Sequence, residues 1–477
     1  MRDAHIWPVS AAVDPQGRLQ IGGCDTVALA EAHGTPLYLL DEATLRQTCR
    51  AYRAALERHL PGQADIHYAS KALLNTALAQ LIHQEGLGLD VVSGGELFVA
   101  LRAGVPAARI HLHGNAKPAA ELEQALEAQV GRIVVDTLDE LALLARLSAG
   151  RTPPQPVMLR LAPGIAADTH AHIQTGQAAS KFGLPLDALD QAAELLRAAP
   201  GLRLRGLHAH LGSQLFDTAP LAQAVEVLLD CAARLRERHG LQIEEISPGG
   251  GLGVAYTADQ RAPDLDAYAA ALGSALGQGC RRRGLAPLRL LIEPGRSIVA
   301  RAGVALYRVL ARKRLAGGEA ADEGRRTKDE GGVGANQPST HEPSNALPLY
   351  RSTAPSLVGY LHIDGGMADN IRPALYGARY TALLAGRADD PAEERVHVSG
   401  RFCESGDVLL HDIALPPAEP GDLLAVAAAG AYTLSMASTY NLVPRPALLL
   451  VGGGRAAVMQ RRETYADLVA RDAALSQ

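Results

Sequence analysis

The chain is predicted to be an α/β protein, a TIM-like (β/α)8 barrel joined to a C-terminal all-β domain. Three observations carry this expectation. Between about residues 37 and 300, short β-rich runs alternate with Ala/Leu-rich stretches of helical period. Eight strand-then-helix units fit into roughly 260 residues, the size of a closed parallel barrel. After Arg301 the texture changes to short β-like runs split by Gly and Pro. The strand count alone leaves an open doubly wound sheet as the rival.

In order, strands are expected near Ile66–Ser70, Leu87–Val92, Arg109–His113, Arg132–Asp136, Val157–Leu161, Leu204–His210, Ile243–Ser247 and Arg289–Glu293. Amphipathic helices lie between most of them, as at Leu73–Glu85, Glu96–Arg102, Glu121–Gln129, Leu138–Leu147, Leu186–Ala198 and Leu221–His239. The barrel is assigned to residues 40–300. Residues 1–39 together with 301–477 are assigned to a β-sandwich or small β-barrel, with strands at Ala302–Ala311, Tyr360–Asp364, Arg395–Ser399, Asp407–Leu410, Leu423–Ala427 and Ala447–Val451. Leu19–Gly22 is expected to add a strand there. Residues 317–345, rich in Gly, Glu, Asp, Ser, Thr and Pro without apolar period, read as a disordered insertion.

Composition excludes several functions. With 477 residues and 47% hydrophobic residues, a large core is available. The net charge of −5 offers no basic field for a nucleic-acid backbone or an anionic membrane. Aromatics are 4%, too few for stacking single-stranded bases. Five scattered cysteines form no disulfide framework and suit a reducing compartment. No leader pattern and no apolar run of the ~18–20 residues a membrane span requires is seen. A soluble, cytoplasmic chain is expected. No HExxH or CxxC spacing suggests a metal.

In an α/β barrel, the loops at the C-terminal strand ends build the active site. The first proposed strand ends at Lys71, the sixth in His208-Ala209-His210 with Ser213 beyond, the seventh in Gly249-Gly250-Gly251, and the eighth in Glu293-Pro294-Gly295-Arg296. Each alone has a plain reading. Lys71 reads as a solvated surface lysine, the Gly triplet as a turn, His210 as structural and Glu293 as a loop cap. Together they place an amine, a phosphate cradle, a flat imidazole and an acid on one rim. Glycine lets backbone N–H groups approach a phosphate, and a lysine amine forms imines with aldehydes. Pyridoxal phosphate uses all four.

The chain resembles the pyridoxal-phosphate-dependent decarboxylases of the alanine-racemase and ornithine-decarboxylase fold, most of all the diaminopimelate decarboxylase family. The matching segments are YASKA (68–72), DVVSGGEL (90–97), HGNAK (113–117), TH..I.TG....KFG (169–183), HAHLGSQ (208–214), GGGLG (249–253), EPGR (293–296), DGGM.D.IRPALYG (364–377), CESGD (403–407) and GAYTLSMASTYN (430–441). The resemblance implies decarboxylation of meso-2,6-diaminopimelate to L-lysine and CO2, the last step of lysine biosynthesis. It implies that Lys71 binds the cofactor aldehyde, that His210 stacks on its ring, and that Glu293 pairs with the pyridine nitrogen. Ser213, Gly250, Gly251, Pro294, Gly295, Arg296 and Tyr432 would surround the cofactor. Arg296, Arg372, Tyr376, Glu404 and Tyr432 would contact the substrate. Cys403 would return a proton to the carbanion. In such enzymes Cys403 and Glu404 come from the neighbouring subunit, so a homodimer is implied.

The plain readings of these later residues are a buried inert thiol for Cys403, a turn with a surface ion pair for Arg372 and Tyr376, and core packing for Tyr432. Ala116, Pro118, Ala162 and Arg401 depart from the family pattern. A decarboxylase of another amino acid, or of a siderophore- or carrier-linked one, is therefore the alternative. An amino-acid racemase of this fold would place Arg rather than Glu at the pyridine nitrogen, and a cofactor carrier would lack the CESGD and RPALY segments; Glu293, Cys403 and both segments argue against these two.

Overall fold

A computed structural model describes residues 3–165, 181–315 and 357–475. The expected insertion at 317–345 and most of the TH..I.TG....KFG segment lie outside the described residues.

Eight parallel strands run through the first half of the chain. They are β1 (Ala64–Ala69), β2 (Gly88–Val91), β3 (Ile110–Leu112), β4 (Arg132–Val135), β5 (Gln155–Ala162), β6 (Leu202–His208), β7 (Glu245–Ser247) and β8 (Arg289–Ile292). β8 pairs in parallel with β1, with Leu290 opposite Ala64, so the sheet closes and the open-sheet rival is excluded. Each strand begins and ends within about two residues of its expected position.

The outer helices form because their apolar residues fall on one stripe and their first turns are capped. In Ala219–His239 the buried residues are Leu221, Ala224, Val225, Leu228, Leu229, Cys231, Ala232 and Leu235, the spacing of a helix packed on one side. Asn75, Ser93 and Thr137 each accept a backbone N–H in the first turn of Thr76–Gln84, Gly94–Arg102 and Leu138–Leu147.

The barrel interior is unusual in being mostly polar. Val134, Met158 and Leu291 pack as a small apolar plug separate from the main core. Below it, toward the N-terminal strand ends, the rings of His67 and His111 stack at 3.7 Å, and Glu245 takes a two-pronged contact from Arg132, with Nη2 2.9 Å from Oε2. Gly88 leaves the room: a Cβ there would sit 2.3 Å from the His67 ring. Above the plug lies the rim.

After the barrel, the strand Gly303–Arg314 bends from one layer to another. Its first half pairs with Leu37–Asp41 and Leu423–Val426, and its second half with Leu357–Ile363. Glu394–Ser399 and Val408–Leu415 continue beyond Leu357–Ile363, while Ala447–Gly452 and Arg455–Gln460 continue beyond Leu37–Asp41. Leu19–Ile21 does not join this sheet as a strand. It forms a three-stranded sheet with Ala12–Val13 and Cys24–Asp25, tied by the Leu19 N–H to the Ala385 carbonyl (2.7 Å). The N-terminal strand that enters the large sheet is Leu37–Asp41, whose five residues are all buried. Such a run is the pattern of a strand covered on both faces.

Candidate active site

A cavity of about 740 Å³ opens at the C-terminal rim, between the barrel and the β-rich region. It is lined by Lys71, His210, Ser213, Gly251, Glu293, Gly295, Arg296, Arg372, Tyr376 and Tyr432. Sequence segments more than 300 residues apart thus meet in one place.

Lys71 stands in a single 3₁₀ turn, Ser70–Ala72, directly after β1. The turn is braced from two sides. The Ala69 N–H donates to the Pro294 carbonyl (3.1 Å), and the Ala72 carbonyl accepts from the Tyr432 N–H (2.8 Å) and the Ser435 hydroxyl (3.0 Å). Gly295 packs so closely that a Cβ would lie 3.0 Å from Ala69. These contacts hold the lysine amine toward the cavity.

Glu293 is buried at the end of β8. Its Oε2 accepts from His208 Nε2 (2.9 Å) and its Oε1 from the Ser247 hydroxyl (2.9 Å). Burial opposes its ionisation, but His208, His113 and the Ser247 hydrogen bond outweigh that and hold the carboxyl well below the usual range. Asp90, facing it, behaves oppositely: burial, then the nearby Glu293 charge, pushes its carboxyl well upward. Their environments thus push the two carboxyl groups in opposite directions. Burial lowers His210 well below its usual value, with the Lys71 and Arg160 charges adding to this, so its ring is neutral. The Gly250 N–H faces His210 Nδ1 at 3.4 Å.

The glycine loop after β7 is glycine for steric reasons. A Cβ on Gly250 would lie 2.0 Å from the Glu293 carbonyl oxygen, and one on Gly251 (φ +104°) 2.3 Å from that of Gly212. Arg296, buried in the turn after β8, donates to the Ser213 hydroxyl (3.1 and 3.0 Å) and to the Tyr256 hydroxyl (2.8 Å), and its guanidinium lies 4.7 Å from the Tyr432 ring centre. Arg372, at the start of the short helix Arg372–Tyr376, donates to the Tyr380 hydroxyl.

Cys403 and Glu404 are the two expected site residues outside this assembly of side chains. Both are exposed, and the Tyr440 hydroxyl donates to Glu404 Oε1 at 2.5 Å. Gly250 and Pro294 act through their backbone, behind the cavity wall. Sequence reasoning missed Asp90, His113, Arg160, His208 and Tyr256, all of which line the cavity. For His113 and His208 the two-residue alternation of a strand was an available signal, since each ends an inward-facing row. Tyr256 carries no such signal.

These residues fit pyridoxal phosphate on structural grounds. Asp90 Oδ1 and His113 Nε2 are buried on the cavity wall without a hydrogen-bond partner, leaving polar capacity for a ligand. A backbone cradle that any side chain would fill, an accessible amine, a neutral imidazole and an ionised carboxylate match the phosphate, aldehyde, ring face and ring nitrogen. Ligand atoms of His113, His208 and Glu293 converge within 4.8 Å; the His208–Glu293 hydrogen bond accounts for most of that proximity.

Residues 42–300 match the family model for the pyridoxal-dependent decarboxylase, pyridoxal binding domain. The chain is 39% identical over 476 residues to the diaminopimelate decarboxylase of Synechocystis, covering 98% of this chain and 93% of that one. It is 40% identical over 459 residues to the Bacillus subtilis diaminopimelate decarboxylase, covering 96% and 95%. The crystal structure of the M. jannaschii diaminopimelate decarboxylase with L-lysine superposes with a TM-score of 0.82 at 31% identity, over 98% of both chains. With the rim geometry and these relatives together, the chain belongs to the diaminopimelate decarboxylase family of pyridoxal-dependent decarboxylases.

Proposed function

We propose that this protein removes CO2 from the D-configured centre of meso-2,6-diaminopimelate and releases L-lysine, with pyridoxal phosphate as cofactor. Bound pyridoxal phosphate supplies an aldehyde that condenses with amines and a ring that takes up the electrons of the breaking C–C bond. Lys71 Nζ is the anchoring amine. Glu293, kept ionised, presents negative charge to the ring nitrogen, and each ~1.36 kcal/mol of carbanion stabilisation is worth about tenfold in rate. His210, with its neutral ring on the cavity wall, would stack on the cofactor ring. Ser213 and the Gly250–Gly251 backbone would hold the phosphate, with Pro294 and Gly295 fixing the neighbouring turn. Arg296 and Arg372 bind the distal carboxylate, for which a planar guanidinium gives directional pairing. Tyr376 and Tyr432 close the substrate end.

The observation that carries the substrate reading is the pair of buried guanidiniums lining the cavity, whose hydrogen bonds go to hydroxyl groups. A substrate with a second carboxylate suits them; the lone ammonium at the far end of ornithine does not. The test is CO2 release from meso-diaminopimelate, ornithine, arginine and lysine. Release from the first alone is expected, and release from ornithine in preference would replace this substrate by another.

Cys403 and Glu404 are assigned to the active site of a second copy, Cys403 as proton donor and Glu404 as substrate contact. They are exposed, outside this chain's own cavity, and the Cys403 N–H donates to Asn441 Oδ1 (3.4 Å), next to the apolar Leu442, which is 67% exposed. Mixing Lys71→Ala with Cys403→Ala chains regains up to about a quarter of wild-type activity if sites are shared in a twofold dimer; no recovery on mixing would refute sharing. The division into a barrel of 40–300 and a β domain of 1–39 with 301–477 is supported by the pairing of Leu37–Asp41 with Gly303–Leu306. A cytoplasmic location is in keeping with five free cysteines and with the absence, among the described residues, of any helix long and apolar enough to cross a membrane.

A further inference from the structure

Arg296 and Arg372 are both buried, and their hydrogen bonds go to hydroxyl groups, those of Ser213, Tyr256 and Tyr380. Two buried cations repel each other and lose hydration, so something must hold them together. Tyr256 stands between them. Its hydroxyl accepts from Arg296 Nη1 at 2.8 Å, and its ring centre lies 4.7 Å from the Arg372 guanidinium carbon. A ring face attracts a cation and a phenol oxygen accepts from one, so the ring and hydroxyl of a single side chain serve both arginines. Tyr380 meets the Tyr256 ring edge-on at 5.3 Å and accepts from Arg372.

Tyr256 is itself fixed from both halves of the molecule. Its N–H donates to Gln260 Oε1 (2.8 Å) on its own loop, and its carbonyl accepts from the Thr381 hydroxyl (2.9 Å) in the β-rich region. Two residues earlier, Val254 and the Gln214 side chain exchange a pair of hydrogen bonds (2.6 and 3.2 Å) that tie this loop to the one after β6. Burial opposes ionisation of the Tyr256 phenol, but the two guanidiniums outweigh it and draw it below its usual value.

We infer that Tyr256 is a positioning residue that sets the spacing of Arg296 and Arg372, so that the pair grips one carboxylate of the substrate. This rests on the assignment of both arginines to the distal carboxylate made above. Tyr256 itself acts through the arginines and takes no part in bond breaking.

The test uses the holoenzyme and the variant Tyr256→Phe, which removes one oxygen and keeps the ring. L-lysine retains the gripped carboxylate, whereas cadaverine lacks it. KM for meso-diaminopimelate is expected to rise about tenfold with kcat within about twofold. The Kd for L-lysine rises by the same factor, while that for cadaverine, the cofactor absorbance and the melting temperature stay unchanged. Tyr256→Leu, which also removes the ring face, gives a larger rise in KM, about fiftyfold. Unchanged KM in Tyr256→Phe, or equal weakening of L-lysine and cadaverine, overturns the inference. If the wild-type protein binds L-lysine no more tightly than cadaverine, the carboxylate assignment of the arginines fails first, and the role of Tyr256 falls with it.

Discussion

The barrel interior is polar at both ends, and the two ends use that polarity differently. On the floor, Glu245 is taken up by Arg132 and His67 is stacked on His111; His67 Nδ1 has no hydrogen-bond partner, but His67 is not among the residues lining the rim cavity. At the rim, Glu293 is satisfied by His208 and Ser247, but Asp90 Oδ1 and His113 Nε2, 3.7 Å from each other, have no hydrogen-bond partner. Polarity alone does not mark the active end. Unspent hydrogen-bonding capacity beside a cavity does, because a buried polar atom without a partner costs free energy that a ligand can recover.

Changes at each end should separate stability from catalysis. The largest effect is expected on the floor. Glu245→Gln leaves Arg132 without its counter-charge and lowers unfolding free energy by about 3–5 kcal/mol, read by denaturant titration, while kcat of the folded enzyme stays within a few-fold. A large loss of kcat there would dissolve the distinction. At the rim, Glu293→Gln removes the anion facing the ring nitrogen and lowers kcat on the order of 10²–10³-fold, with a smaller loss of stability than on the floor. Stopped-flow or steady-state CO2 release measures it.

Acidification sharpens the contrast from the floor side. Burial lowers His67 to about 4, against 6.5 for an exposed imidazole. The unfolded chain therefore binds a proton below pH 6.5 that the native floor does not bind until about pH 4. Stability contributed by this neutral histidine is present above pH 6.5 and is lost as pH falls through that window, by about 3 kcal/mol. The acid limb of a stability profile should be shallower by one proton in His67→Gln; an identical slope would count against the floor as an acid-sensitive element.

The smallest effect is local to the rim wall. Ala116 has φ +51°, a left-handed conformation that asparagine tolerates better than alanine. Ala116→Asn should raise stability by about 0.5–1 kcal/mol without altering KM. The adjoining Lys117 is a buried structural lysine, 2.8 Å from Glu140 and donating to the Gly114 and Val134 carbonyls. The departure at 116 thus alters backbone strain while the lysine beside it keeps its buried partners.

The strands and their rim ends were legible because a two-residue alternation and a β-then-α rhythm are written along the chain. Lys71, His210, Glu293 and Arg296 follow from that rhythm, since each lies within four residues after the end of a strand. Tyr256 does not, because an isolated tyrosine after a glycine loop has no periodic neighbour. Its position between two arginines emerges only when residues 296 and 372 are brought together. Cys403 and Glu404 were legible as a motif but not as geometry, since one chain alone leaves them facing outward. The sheet entered by Leu37–Asp41 was hidden for a further reason: an apolar pentapeptide at residue 37 carries no mark of pairing with one at residue 447.

That last pairing bears on how the protein is made. All eight barrel strands lie in one uninterrupted stretch, so the barrel has its whole sequence outside the ribosome while the remainder is still being translated. Leu37–Asp41 gains its antiparallel neighbour Gly303–Leu306 soon after, but its parallel neighbour Ala447–Val451 only some 400 residues after it was itself synthesised. During translation one edge of this apolar strand stays open, which makes it the segment a nascent-chain chaperone would have most reason to cover.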